Sequence, residues 1–284
     1  MQTPRTTRMK DTSMKTSIRQ QRLNAVVAAL AIGATAGAWA ADETTKERDP
    51  REFTYLQLAG GAAMATSAPV NVGLGASVQL HGRASYDRGT LWGATLGYQF
   101  LREEDEQDKE KRLAAVSRGE TPKEAQPMRA ELEFWNASVT RNTIQVAAET
   151  VHPNDKVKPR ALFLNVAIPI GESEEFFQPE DPKRLPEPLW RTWLGAGVGP
   201  ANLSYPSASA LSGCNCLRQA SGSGLAYQLK LQFERQVSEN TYLFTQIGRV
   251  WLPGVSTTQG TQTTDYSRWG MNNLAVGVRW AFRD

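Results

Sequence analysis

Leu274-Ala-Val-Gly-Val-Arg-Trp-Ala-Phe282 decides the fold. Successive side chains of a β-strand point to opposite faces, so Leu274, Val276, Val278, Trp280 and Phe282 share one face and Ala275, Gly277, Arg279 and Ala281 the other. A bulky apolar face backed by small or charged residues suits a strand that touches lipid on one side and a crowded polar lumen on the other. The alternation recurs upstream. Leu225, Tyr227, Leu229, Leu231 and Phe233 stand against Ala226, Gln228, Lys230, Gln232 and Glu234. Val70, Val72, Leu74, Ala76, Val78 and Leu80 stand against Asn71, Gly73, Gly75, Ser77 and Gln79, and Leu162, Leu164, Val166, Ile168 and Ile170 form one face of a further segment. Blurred versions of the pattern occupy residues 53–65, 90–102, 128–140, 143–151, 189–204 and 240–252. These segments predict an all-β chain, a transmembrane antiparallel up-and-down β-barrel of about ten strands. If the segments at 70–86 and 143–151 lie in loops, the number falls to about eight.

The amino-terminal stretch has a different character. Arg19 and Arg22 precede an apolar run from Leu23 to Ala34, and Ala38-Trp39-Ala40 offers a small-x-small cleavage site. Residues 1–40 are therefore expected to be a cleaved export signal, with translation beginning at Met1 or Met14, residues 41–51 a linker, and residues 52–284 the barrel domain. Six of the 32 Lys and Arg and one of the 29 acidic residues fall in residues 1–40, which leaves 26 basic against 28 acidic. The apparent basicity belongs mostly to the signal. The barrel domain lacks the basic excess that nucleic-acid binding requires. No other apolar run approaches the roughly 20 residues of a spanning helix.

Short connections argue for a meander. Asp87-Arg88-Gly89, Arg141-Asn142 and Ser238-Glu239-Asn240 carry turn chemistry between strand candidates. With ten strands, these three turns face the periplasm and residues 103–127, 151–158, 205–220 and 254–269 face outward. The connection from Gly171 to Pro188 is then a long inner one. Within Arg102 to Pro127, Asp105 with Lys109 and Asp108 with Arg112 have helical four-residue spacing, as in a solvated helix or a docking element.

The segments Gly93-Ala-Thr-Leu-Gly-Tyr-Gln-Phe100, Trp193-Leu-Gly-Ala-Gly-Val-Gly199, the hairpin from Gly224 to Trp251 and the ending Asn273 to Phe282 carry a resemblance. The chain resembles the small outer-membrane β-barrel proteins of Gram-negative bacteria, of the type that includes the OmpA transmembrane domain and opacity-like surface proteins. The resemblance implies a place in the outer membrane and does not specify an activity. Such proteins commonly have eight strands and end on the aromatic residue, whereas Arg283-Asp284 follow it here.

Glu131, Glu133, Arg191, Lys230, Glu234 and Arg279 are the inward charge candidates, expected to form a salt-bridge network that fills a narrow lumen or, alternatively, to line a conduction path. Cys214 and Cys216, in a segment expected outside the cell, suit a loop disulfide. His81 with Asp87 is the only dyad with any claim to catalysis, while His152 with Asn154 and Asp155 reads as a solvated turn; neither matches a hydrolase arrangement. No catalytic, cofactor or metal residue is assigned. Tyr55, Trp92, Tyr98, Trp190, Trp251, Trp269 and Trp280 read as interfacial girdles. The expected role is a non-enzymatic outer-membrane barrel with a structural or interaction function. Its partners would be outer-membrane lipids including lipopolysaccharide, the barrel assembly machinery during insertion, and an unidentified protein. A narrow channel and a lipid-modifying enzyme are the alternatives.

Overall fold

The computed structural model describes residues 51–75, 78–101, 126–179, 186–208, 217 and 219–283. Its strands in chain order are β1 Phe53–Ala65, β2 Ala68–Leu74, β3 Val78–Tyr86, β4 Gly89–Leu101, β5 Pro127–Val146, β6 Glu149–Val151, β7 Asp155–Val157 and β8 Arg160–Glu172. There follow β9 Phe176–Phe177, β10 Glu187–Pro188, β11 Trp190–Tyr205, β12 Ala220–Ser238, β13 Thr241–Leu252, β14 Val255–Gln259, β15 Gln262–Tyr266 and β16 Trp269–Phe282. Eight of them close on themselves, all antiparallel, in the order β1-β4-β5-β8-β11-β12-β13-β16. The seam pairs Leu56 with Trp280 and Leu58 with Val278. Closure removes every edge of the ring, which is the condition for crossing a bilayer with strands.

The expected antiparallel barrel is therefore present, and of the two strand numbers the ring takes eight. The segment at 70–86 does form strands, but β2 and β3 stand outside the ring. β2 pairs with β15 and with β3, and β3 joins the distal part of β5, Arg141 to Val146. Arg141-Asn142 is not a turn, because β5 runs through it and absorbs Asn142 in a register shift opposite Ser85 and Tyr86. Removing two strands from the ring also reverses the chain's direction at two predicted connections. Asp87-Arg88-Gly89 lies at the end away from the termini, joining β3 to β4. The segment predicted outside at 103–127 leaves Leu101 and returns at Pro127, which are register partners at the end where β1 begins and β16 stops. The charged stretch itself, residues 102–125, lies outside the described residues.

Outward positions form a continuous apolar belt. Leu96, Leu164, Val166, Ile168, Leu229, Ile247, Leu274 and Val276 are all exposed. Trp92, Phe134, Tyr227 and Trp251 stand toward the far end of it and Tyr98, Trp190 and Trp280 toward the terminal end. Two of the predicted girdle residues are placed differently. Tyr55 is fully buried in the lumen, and Trp269 is buried against Tyr86, the rings stacked at 4.8 Å. Parity explains Tyr55, which shares a face with Phe53 and Gln57. Trp269 likewise has the inward parity of Met271, Asn273 and Ala275 on β16.

Beyond the belt the outer face turns polar, from Met128, Leu132 and Phe134 to Asn136, Ser138 and Thr140 along β5. The inner face stays apolar there: Val70, Val72, Ala84, Val139, Ile144, Val157, Leu203 and Val255 join one core with Trp135 and Phe163 of the ring. β2, β3, β14, β15 and the distal end of β5 thus build a folded cap on one mouth of the barrel. At the terminal mouth, β9 and β10 form a short hairpin.

Tyr55 fits because its register partner on β4 is Gly97, where a Cβ would come within 2.2 Å of Tyr55 Cζ. Gly97→Val forces the buried ring out of its slot. We expect the folded barrel in detergent to lose about 1–3 kcal/mol, read as a lower urea midpoint, with Gly97→Ala milder.

Candidate functional site in the lumen and cap

Five of the six predicted inward charges meet in the lumen. Lys230 Nζ lies 2.6 Å from Glu131 Oε2 and 3.0 Å from Glu133 Oε2. Arg279 Nη2 lies 2.6 Å from Glu234 Oε1. The sixth, Arg191, stands opposite Glu234 in the register but at the rim. It pairs instead with Glu172 at 3.4 Å, where Glu172 is largely solvent-exposed. The inward bulk at that level is supplied by Trp193, beside a register shift between β8 and β11.

Arg129 completes the set and was not among the predicted residues. It donates from Nη2 to Glu234 Oε1 at 2.9 Å and from Nε to Gln99 Oε1 at 3.2 Å, with its guanidinium 3.5 Å from the Trp193 ring centroid. Its parity with Glu131 and Glu133 on β5 was the signal that could have found it. Arg129, Glu131, Glu133, Lys230, Glu234 and Arg279 are all buried and carry three positive and three negative charges. Neutral groups fill in between. Tyr55 donates to Glu131 at 2.8 Å, Asn165 to Glu133 at 2.8 Å, and Gln228 to both Glu133 and Asn165 at 2.7 and 2.6 Å. Space for these groups comes from the glycine stripe on β11. A Cβ on Gly197 would overlap Asn165 Oδ1 at 1.7 Å, and one on Gly195 would press on Lys230 at 3.1 Å. An eight-stranded barrel is just wide enough for its side chains to fill, and here they fill it with matched charge.

A second buried cation organises the cap. Arg141 pairs with Asp155 through Nε and Nη2, and donates from Nη1 to the Tyr266 hydroxyl at 2.6 Å and from Nη2 to the Pro206 carbonyl at 2.8 Å. Tyr205 and Tyr266 stack at 4.0 Å beside it. Burial pushes the Tyr266 and Tyr205 hydroxyls above the usual phenol range. Asp155 is thus not part of a solvated turn with His152. The turn is made by Asn154, whose φ of 46° is left-handed, while Asp155 reaches inward.

The histidine dyad is not assembled. The His81 ring faces Asn71 Oδ1 at 2.8 Å, and Asp87 accepts from Asn142 at 3.1 Å; both pairs are exposed. Cys214 and Cys216 lie outside the described residues. At the terminal mouth, Arg283 pairs with Glu187 of β10 and donates to the Tyr242 hydroxyl, which also donates to Glu187 at 2.7 Å. The residue that departed from the usual aromatic ending is therefore built into the structure.

The closed eight-strand ring, its apolar belt and its filled polar lumen define a transmembrane β-barrel of the outer-membrane type. No family model and no curated protein matches the chain. Among solved structures, the outer membrane protein OprG from Pseudomonas aeruginosa is similar over 82% of this chain and 98% of that one, at 11% identity and a TM-score of 0.47. Neisserial surface protein A is similar over 81% of this chain and 97% of its own, at 12% identity and a TM-score of 0.38. The outer membrane protein AlkL gives 86% and 96%, at 12% identity and a TM-score of 0.38. Two of these are outer membrane proteins and one is a surface protein, and the likeness is one of strand arrangement.

Removing one partner of a buried ionic cluster strands the others. Lys230→Met should destabilise the barrel by about 3–5 kcal/mol in urea unfolding. Adding Glu131→Gln and Glu133→Gln to that variant should recover most of the loss, because no unpaired carboxylate then remains in the lumen.

Proposed function

We propose that the chain is a non-enzymatic outer-membrane barrel that holds a folded interaction platform at the cell surface. The observation that carries this reading is the cap: a sheet with its own apolar core, seated on a barrel whose lumen its own side chains occupy. In barrels of this type both termini and the shorter turns face the periplasm. The cap then faces outward, and the charged segment 102–126 becomes a periplasmic contact element. Residues 1–40 serve as the export signal and are removed. Insertion uses the barrel assembly machinery, and the belt contacts outer-membrane lipids.

A channel is a weaker reading, since the six charges that would attract ions are engaged with one another. Enzymatic reading has less support still, because His81 and Asp87 are directed to different amide partners. Function on a barrel resides in the site grafted on it, and the largest structured elaboration here is the cap.

Protease sites introduced at two places test the arrangement. One goes at Gly260, in the exposed turn between β14 and β15 where φ is +64°, and one near Asp108. Protease added to intact cells should cut the first and spare the second until the outer membrane is opened. The opposite pattern would invert the barrel and remove the platform reading. In planar bilayers the wild-type protein should stay silent, and steady conductance altered by Lys230→Ala or Arg279→Ala would favour the channel.

A further inference from the structure

A shallow cleft of about 440 Å³ lies on the outer wall where the belt meets the cap, lined by Thr66, Tyr227, Arg249, Trp251, Arg268 and Gly270 among others. Arg249 is unusual in facing outward. It has the parity of Leu243, Ile247 and Trp251 on β13, all of them exposed belt residues. Its guanidinium crosses the neighbouring strand over Gly270, where a Cβ would come within 2.8 Å of Nη2. There Nη1 donates to Asn272 Oδ1 at 3.3 Å, and the group lies 5.5 Å from the Trp251 ring centroid. Arg268 is exposed and lines the same cleft. Among the described residues, neither arginine has a carboxylate within ion-pair distance, in contrast to every buried arginine of the lumen and cap.

Two cations without a counter-charge thus line a cleft at the edge of a lipid-facing surface. A guanidinium at that depth is tolerated only near the interface, and it gains most from an anion whose oxygens match its planar fork. Phosphate monoesters and diesters have that geometry. Arg249 stands opposite Leu229, and its guanidinium reaches toward the cap as far as Gly270, the register partner of Trp251, so it lies level with the aromatic pair Tyr227 and Trp251, while the surface below is aliphatic, through Leu229, Ile247 and Leu274. A ligand matching both halves is phosphorylated at one end and acylated at the other.

We propose that this cleft binds the phosphorylated headgroup of an outer-leaflet glycolipid, with Arg249 and Arg268 on the phosphate and Tyr227 and Trp251 against the sugar or the first methylenes. This deepens the reading above, since it uses the same assignment of the cap to the outer face. It predicts that the lipid belongs to one wall, β12, β13 and β16, rather than to the whole circumference.

The test is native mass spectrometry of the full-length barrel in detergent, titrated with bis-phosphorylated lipid A. Wild type should hold one lipid, and Arg249→Ala with Arg268→Ala should weaken that adduct roughly tenfold or more, as expected for loss of charge-assisted bonds. Arg249→Lys with Arg268→Lys should retain part of it. A hundredfold excess of inorganic phosphate should leave the adduct in place. Equal lipid adducts in wild type and the alanine pair would overturn the proposal, and so would displacement by inorganic phosphate, which would indicate a soluble anion instead. Circular dichroism checks that each variant is folded. Binding in detergent does not depend on which way the barrel faces, so the protease experiment can fail without this one, and the reverse.

Discussion

Charge neutrality inside a closed ring is the constraint on which the rest depends. A carboxylate or guanidinium held in an apolar bilayer, away from bulk water, is stable only with an opposite charge in contact. Six such groups occupy this lumen, and they are drawn from β5, β12 and β16, strands that are far apart in sequence. Arg129 and Arg279 share Glu234, and Lys230 bridges Glu131 and Glu133. The pattern fixes the shear of the ring, since a slip of two residues along β12 would carry Lys230 away from both carboxylates. The glycine stripe on β11 belongs to the same constraint. It yields volume to Lys230 and Asn165, which project from the two strands flanking it, β12 and β8.

The cap obeys the same rule outside the membrane, on a smaller scale. Arg141 holds together β5, the short β7 through Asp155, β15 through Tyr266 and the end of the β11 segment through Pro206. A platform built from strands of a few residues each would be marginal if isolated. Continuity of its core with Trp135 and Phe163 makes it an extension of the barrel wall instead of an appended loop.

Much of the ring was legible in the sequence because period-two alternation is a local signal, and strands such as β12 and β16 display it without interruption. The inward charges followed from the same parity, including Lys230, Glu131 and Arg279. What was not legible depended on non-local pairing. β2 and β3 alternate as cleanly as any ring strand, and only their partners β15 and the distal end of β5 show that they lie beyond the ring. Arg141-Asn142 has the composition of a turn, and the bulge that absorbs it is decided by Ser85 and Tyr86 on another strand. Arg191 has lumen parity but sits at the rim, where neighbouring Trp193 takes the interior. The cleft that holds Arg249 could not be seen from β13 alone, since it needs Gly270 opposite and the turn carrying Arg268.

The contact at the terminal mouth has a consequence for how the chain completes its fold. Arg283 lies 4.3 Å from the ring centroid of Phe53 while pairing with Glu187. As the residue directly after the last ring strand, it therefore touches the first ring strand at Phe53, β13 at Tyr242 and the hairpin between β8 and β11 at Glu187. That meeting exists only once β1 and β16 have zipped in the correct register. Arg283 works as a latch on the seam, a contact that correct closure makes and a two-residue slip would break.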